Sequence, residues 1–107
     1  MDKLGFIEFN KKFSPQKSRK ADSYAQAIKI LDEVLPHQNE INLQGKSLYD
    51  ISESAILEEI LKLVNDEVKK MKLGEKNIFD YGKPTQKSYP RDNFCSAALR
   101  SLIEYAQ

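Results

Sequence analysis

Between residues 56 and 71 the apolar side chains recur at steps of three and four: Ile56, Leu57, Ile60, Leu61, Val64, Val68 and Met71. That spacing is the signature of an α-helix with one apolar face, and it does not fit the alternation of a half-buried strand. A face of this kind has to be covered by other elements, so the segment commits the chain to helical packing. Glu58, Glu59, Lys62, Asp66, Glu67, Lys69 and Lys70 fill the positions between and are expected on the wet side. Asp50 or Ser52 is expected to cap the start. Lys69, Lys70 and Lys72 stand in the last turn, where cations suit the negative end of the helix dipole. Gly74 suits the left-handed residue that ends many helices.

Three further segments carry the same period. Phe6, Phe9 and Phe13 share a face, but Gly5 and Asn10 lower helical propensity, so a short or irregular helix is expected before Ser14-Pro15. Ser23 to Gln26 reads as a capping box, which predicts a helix starting near Asp22-Ser23. Tyr24, Ala27, Ile28, Leu31, Val34 and Leu35 form its stripe, and Pro36 stops it. Residues 36–47 read as a polar loop, and Leu48 to Ile51 as a compact apolar insert. The last helix is expected from Asp92-Asn93 onward, with Phe94, Ala98, Leu102 and Tyr105 or Ala106 on one face and Leu99 and Ile103 beside them. Residues 75–93 hold Gly82, Pro84 and Pro90 and read as a long loop, part of which packs down through Ile78, Phe79, Tyr81 and Tyr89. The expected fold is a small all-α domain of four helices, with a long polar loop before the last one. It occupies residues 1–107 as a single unit, a basic segment at 1–20 followed by a helical core at 21–107.

Composition narrows the function classes. The apolar share of 40% is enough for a core, which argues against wholesale disorder. No run of about 18 apolar residues occurs, so no membrane span is expected. Met1 to Asn10 holds Asp2 and Glu8 and no apolar stretch, so it does not read as a signal peptide. The lone Cys95 excludes an internal disulfide and reads as a small core hydrophobe, which makes the cytoplasm the expected compartment. His37 has no histidine or cysteine at ligand spacing and reads as a surface residue. No metal and no cofactor is expected. Glu67-Val68-Lys69, with Asp50 seventeen residues before Glu67, matches part of a metal-dependent nuclease pattern. That chemistry needs carboxylates converging on one ion, and residues two apart on a helix do not share a face. No phosphate-binding glycine loop and no nucleophile elbow occurs. No enzyme activity is expected on this chain.

The net charge of +1 hides a strong asymmetry. Residues 1–20 carry six basic and two acidic side chains, residues 21–73 six and ten, and residues 74–107 five and four. The first segment is therefore +4 and the middle −4. Lys17, Ser18, Arg19 and Lys20 precede the expected helix start, and with Ser23 at that start they are the first set of candidate nucleic-acid contacts. Cations and hydroxyls beside free helical amides form a cradle for nucleic-acid phosphate. Lys83, Lys87 and Arg91 are a second candidate stretch along which a backbone can run, with Tyr89 available to stack on a base. Arg100 either covers apolar surface with its stem or pairs with Glu104.

Three stretches in series carry a resemblance. They are Ser23-Tyr24-Ala25-Gln26-Ala27-Ile28-Lys29-Ile30-Leu31, Ser47-Leu48-Tyr49-Asp50-Ile51, and Cys95-Ser96-Ala97-Ala98-Leu99-Arg100-Ser101-Leu102-Ile103-Glu104-Tyr105. Their order resembles the N-terminal helical module that precedes HNH-type nuclease domains in restriction-endonuclease-like proteins. The first stretch is also similar to the start of the helical core-binding domain of tyrosine recombinases. The sequence departs from the module at Leu102, in its long 74–90 insert, and at Gln107, where the family continues into the nuclease fold. The resemblance implies a restriction or mobile-element setting with cleavage carried by a downstream domain. It marks Tyr24, Ala27, Ile28, Leu31, Leu48, Tyr49, Leu99 and Ile103 as packing positions. The expected function is a non-catalytic DNA-binding module of such a system, gripping the phosphate backbone. The alternative is a protein-interaction or homodimerisation module of the same kind of system, suggested by the acidic middle and the strongly apolar long helix.

Overall fold

Five α-helices form among the described residues: α1 (Lys3–Phe13), α2 (Ser18–Val34), α3 (Ser54–Lys72), α4 (Ser88–Arg91) and α5 (Phe94–Ala106). The computed structural model describes residues 2–13, 18–81 and 87–106, and of residues 12, 13 and 18–20 the backbone alone. No strand occurs among the described residues, and the architecture is the expected small all-α domain with four long helices. The molecule is 37 by 28 by 19 Å. A thickness of 19 Å suits two layers of helices packed about 8–10 Å apart.

The last helix is the hub. α5 lies against α1, α2, α3 and α4. It can do so because Cys95, Ala98, Leu99, Leu102 and Ile103 are all buried, a broader face than a surface helix needs. The expected stripe holds at Ala98 and Leu102, with Leu99 and Ile103 beside them, but Phe94 stands 38% exposed and Cys95 takes the inner position at the helix start. Asn93 precedes the helix in a left-handed conformation (φ +68°), tolerable for asparagine.

The first helix is longer and more regular than its composition suggests. Asp2 caps it, its carboxylate accepting the Gly5 N–H at 2.6 Å. The two residues that weaken its propensity are the ones that dock it. Gly5 lets the Tyr105 hydroxyl approach the backbone where any Cβ would collide. Asn10 is buried, donates to the Phe6 carbonyl at 2.9 Å and accepts from Ser101 Oγ at 2.6 Å. Phe6 is fully buried and meets Tyr49 and Tyr105 at ring separations of 5.9 and 6.1 Å. Context here overrides propensity.

In α3 the expected period holds, and Leu57, Ile60, Val64 and Val68 are buried. The expected caps, Asp50 and Ser52, do not form. Glu53 takes the cap position without a side-chain bond. Asp50 belongs instead to a 3₁₀ turn over Leu48–Asp50, which Ser47 caps by accepting the Tyr49 N–H. The C-terminal end is as expected: Gly74 adopts φ +76°, its N–H reaches the Met71 carbonyl, and Glu75 N–H reaches that of Lys70. Glu67 corrects the expected wet face. It is only 6% exposed, accepts the Ile78 N–H at 2.9 Å and pairs with Lys70 at 2.7 Å. An incoming backbone amide eleven residues downstream needed an acceptor, and this carboxylate is the one within reach. The Glu67 and Lys69 of the nuclease-like triplet lie inside α3.

The stretch 75–93 is more structured than a loop. Its described part contains a 3₁₀ turn over Ile78–Tyr81 and the single-turn α4. Ile78 and Phe79 are buried, as expected.

Candidate nucleic-acid interface

Two helix ends meet at the basic corner. α1 finishes at Phe13 and α2 begins at Ser18, and the two helices pack along each other. Residues 11–20 hold Lys11, Lys12, Lys17, Arg19 and Lys20 and no carboxylate. The sequence therefore places five cations on the end of α1, the start of α2 and the four residues between them.

The start of α2 corrects the capping-box expectation. Ser23 lies inside the helix, half-buried, and the helix begins at Ser18. Ala21, 1% exposed, and Ala25, 6% exposed, extend the packed stripe one turn upstream of Tyr24. That burial stabilises the extra turn, and a serine cap at position 23 would have forfeited it. Ser23 is thus removed from the group of free first-turn amides, which belong to residues 18–21. Ser18, Arg19 and Lys20 move from before the helix into its first turn. That turn has no acidic residue, although the dipole ordinarily selects one. Lys17 lies outside the described residues, as does Lys83 of the second stretch.

Of the second stretch, Lys87, Tyr89 and Arg91 lie among the described residues. Lys87 pairs with Asp80 at 3.4 Å, an exposed contact. Asp80 is held below the ordinary carboxylate range, chiefly by the Asn77 N–H it accepts and then by Lys87. Arg91 is exposed at the end of α4. Tyr89 is half-buried and tilts against Phe94 at 5.6 Å, so it packs rather than presenting a stacking face. Arg100 is exposed and forms no ion pair with Glu104.

The opposite end of α2 holds a polar arrangement that sequence reasoning missed. Asp32 accepts Ser47 Oγ–H at 2.7 Å and Leu48 N–H at 2.9 Å. Its partners lie fifteen and sixteen residues away, so no local pattern announces them. Burial raises its pKa above the ordinary carboxylate range, the two hydrogen bonds pull it down, and Asp50 adds to the rise. Burial, with the nearby Asp32 carboxylate, pushes the Tyr49 hydroxyl up to about 12. That hydroxyl is buried without a hydrogen-bond partner. His37 is exposed, as expected, and stacks flat on Tyr81 with ring centres 4.4 Å apart. Cys95 is fully buried and its thiol is pushed up to about 12, in keeping with an unreactive core residue. Among the described residues no group of three His, Cys, Asp or Glu side chains is placed to hold a metal ion. No described helix is long and apolar enough to cross a membrane.

No family model, curated protein or solved structure matches the chain. The reading of the site therefore rests on its own residues.

Proposed function

We propose that this domain is a non-catalytic DNA-binding module whose α1–α2 corner contacts the phosphate backbone. The observation that carries the reading is the first turn of α2. It holds Arg19 and Lys20 and no carboxylate, beside a segment with three more lysines. Like-signed charges at the positive end of a helix cost free energy, and a bound polyanion removes that cost. The resemblance of the Ser23, Ser47 and Cys95 stretches supports placing the module beside an HNH-type nuclease domain of a restriction system. Of the residues named at the outset, Lys17, Ser18, Arg19 and Lys20 are kept as the contact set. Lys87 is set aside from it because it already has a carboxylate partner, and Lys83 and Arg91 are secondary candidates.

The test is fluorescence anisotropy with a labelled duplex over a salt series. The expected log–log slope is about −0.9 for each phosphate neutralised. A Lys17/Arg19/Lys20→Ala triple variant should flatten the slope and weaken binding. Unchanged binding by that variant would overturn the site.

Exposed Leu4 on α1, 75% accessible, is the observation that favours the self-association reading. Sedimentation separates it: a tight dimer that shifts no DNA at low salt would replace the DNA-binding proposal.

A further inference from the structure

At the other end of α2, about 24 Å from Ser18 at 1.5 Å per residue, the segment following Pro36 folds around a cavity of about 670 Å³. The volume lies within the range of small-molecule sites, roughly 300–1,000 Å³. Its lining includes Leu35, Ile41 and Leu43 on the apolar side and Asp32 and Ser47 on the polar side.

The walls are held in place before any ligand arrives. Gln38 Oε1 accepts the N–H groups of Glu40 and Ile41, and Gln38 Nε2 donates to the Ile41 carbonyl at 2.6 Å. Asn42 Oδ1 accepts the Gln44 N–H. A tight turn follows, with Gln44 and Gly45 both at positive φ (54° and 74°) and the Lys46 N–H on the Leu43 carbonyl. Ordered walls lower the entropic cost of binding.

Asp32 gives the cavity its chemistry. Each of its oxygens accepts one hydrogen bond, which leaves further lone-pair positions on an ionised carboxylate. It is half-buried and forms no ion pair among the described residues. Lys46 lines the same cavity but is exposed and lies beyond ion-pair distance. A lone carboxylate does not supply the several oxygen ligands of a divalent metal site. It suits an ammonium group, and the part-exposed Ile41 and Leu43 suit the alkyl stem behind one. We propose that this cavity binds a small primary alkylammonium, its ammonium group on Asp32 and its stem against Ile41 and Leu43.

The site is separate from the basic corner, so its failure leaves the DNA reading untouched. The test follows backbone amide shifts of residues 38–47 by NMR during titration with n-butylammonium chloride at constant ionic strength. Saturable shifts are expected, with none from sodium butyrate. Asp32→Asn keeps an acceptor for Leu48 N–H and should weaken binding about tenfold or more, the worth of a hydrogen bond to a charged group. Lys46→Gln removes a competing cation at the rim and should tighten binding about two-fold, as for an exposed charge; being exposed, it does not threaten the fold. Nα-acetyl-lysine-N-methylamide is the second probe. Saturation by it as well as by butylammonium assigns the site to lysine side chains, and saturation by butylammonium alone assigns it to free amines. Shifts that rise linearly, an equal response to n-butanol, or affinity unchanged in both variants would overturn the proposal.

Discussion

The two ends of α2 are built on opposite principles. Its C-terminal end is tied down internally. Asp32 collects the amide of Leu48 and the hydroxyl of Ser47, and Gln38 closes the loop that follows. Its N-terminal end places Arg19 and Lys20 where the dipole would prefer acids. One end turns its carboxylate first on the fold, and the other carries cationic residues with no acid in its first turn. On the DNA-binding proposal, a polyanion offsets that unfavourable charge at the N-terminal end.

The comparison can be broken from either side. The largest effect is expected from reversing charge at the basic corner. Arg19→Glu/Lys20→Glu should lower duplex affinity by about a hundredfold at low salt, on the order of tenfold per lost phosphate contact; anisotropy titration measures it. The same titration on Asp32→Ala should show no change. If Asp32→Ala weakens DNA binding as much as the double reversal does, the two ends are not independent.

Next in size is the structural role of Asp32. Asp32→Ala leaves the Leu48 amide and the Ser47 hydroxyl without their acceptor, which costs about 1–3 kcal/mol. For a domain of this size the melting temperature should fall by roughly 4–8 °C for each kcal/mol. Asp32→Asn should behave differently with pH. Because burial raises the folded-state pKa of Asp32 above its unfolded value, its favourable contribution is complete in acid and is lost as pH rises through the raised value. Asp32→Asn should therefore gain on the wild type between acid and neutral pH, as followed by urea denaturation at each pH. A constant difference would show that Asp32 is not held out of its ordinary range.

Two smaller effects sharpen the contrast. Lys20→Glu alone should stabilise the protein by about 0.3–1 kcal/mol, because it supplies the acid that the first turn of α2 lacks. A stabilised protein that binds DNA less well is the combination expected of a site, and thermal denaturation beside anisotropy detects it. Gln44 adopts φ 54°, so Gln44→Gly should relieve about 0.5 kcal/mol of left-handed strain, read by the same denaturation.

The parts of this molecule that are legible in its sequence are those set by local spacing. The stripe from Leu57 to Val68, the Gly74 terminus, the burial of Cys95 and the stop at Pro36 all follow from residues a turn or two apart. The parts that escape depend on partners brought in by the fold. Ser23 looks like a cap because S-x-x-Q is a cap pattern, yet Ala21 gains more by being packed inside the helix. Glu67 looks solvated by its neighbours, and only the arrival of Ile78 reveals it as an acceptor. Gly5 and Asn10 count against a helix until Tyr105 and Ser101 stand opposite them. At the candidate site the cations were visible because charge survives as a sum over a segment. The geometry of the helix start was not, and it moved three of those residues into the first turn.

The buried thiol in the first turn of α5 has a practical consequence. A reagent can reach Cys95 only when the bundle opens, so its rate of alkylation under native conditions reports how often that opening occurs. A cysteine introduced in place of the exposed Lys11 would react far sooner, which allows a single dye to be attached near the end of α1 while the native thiol stays silent.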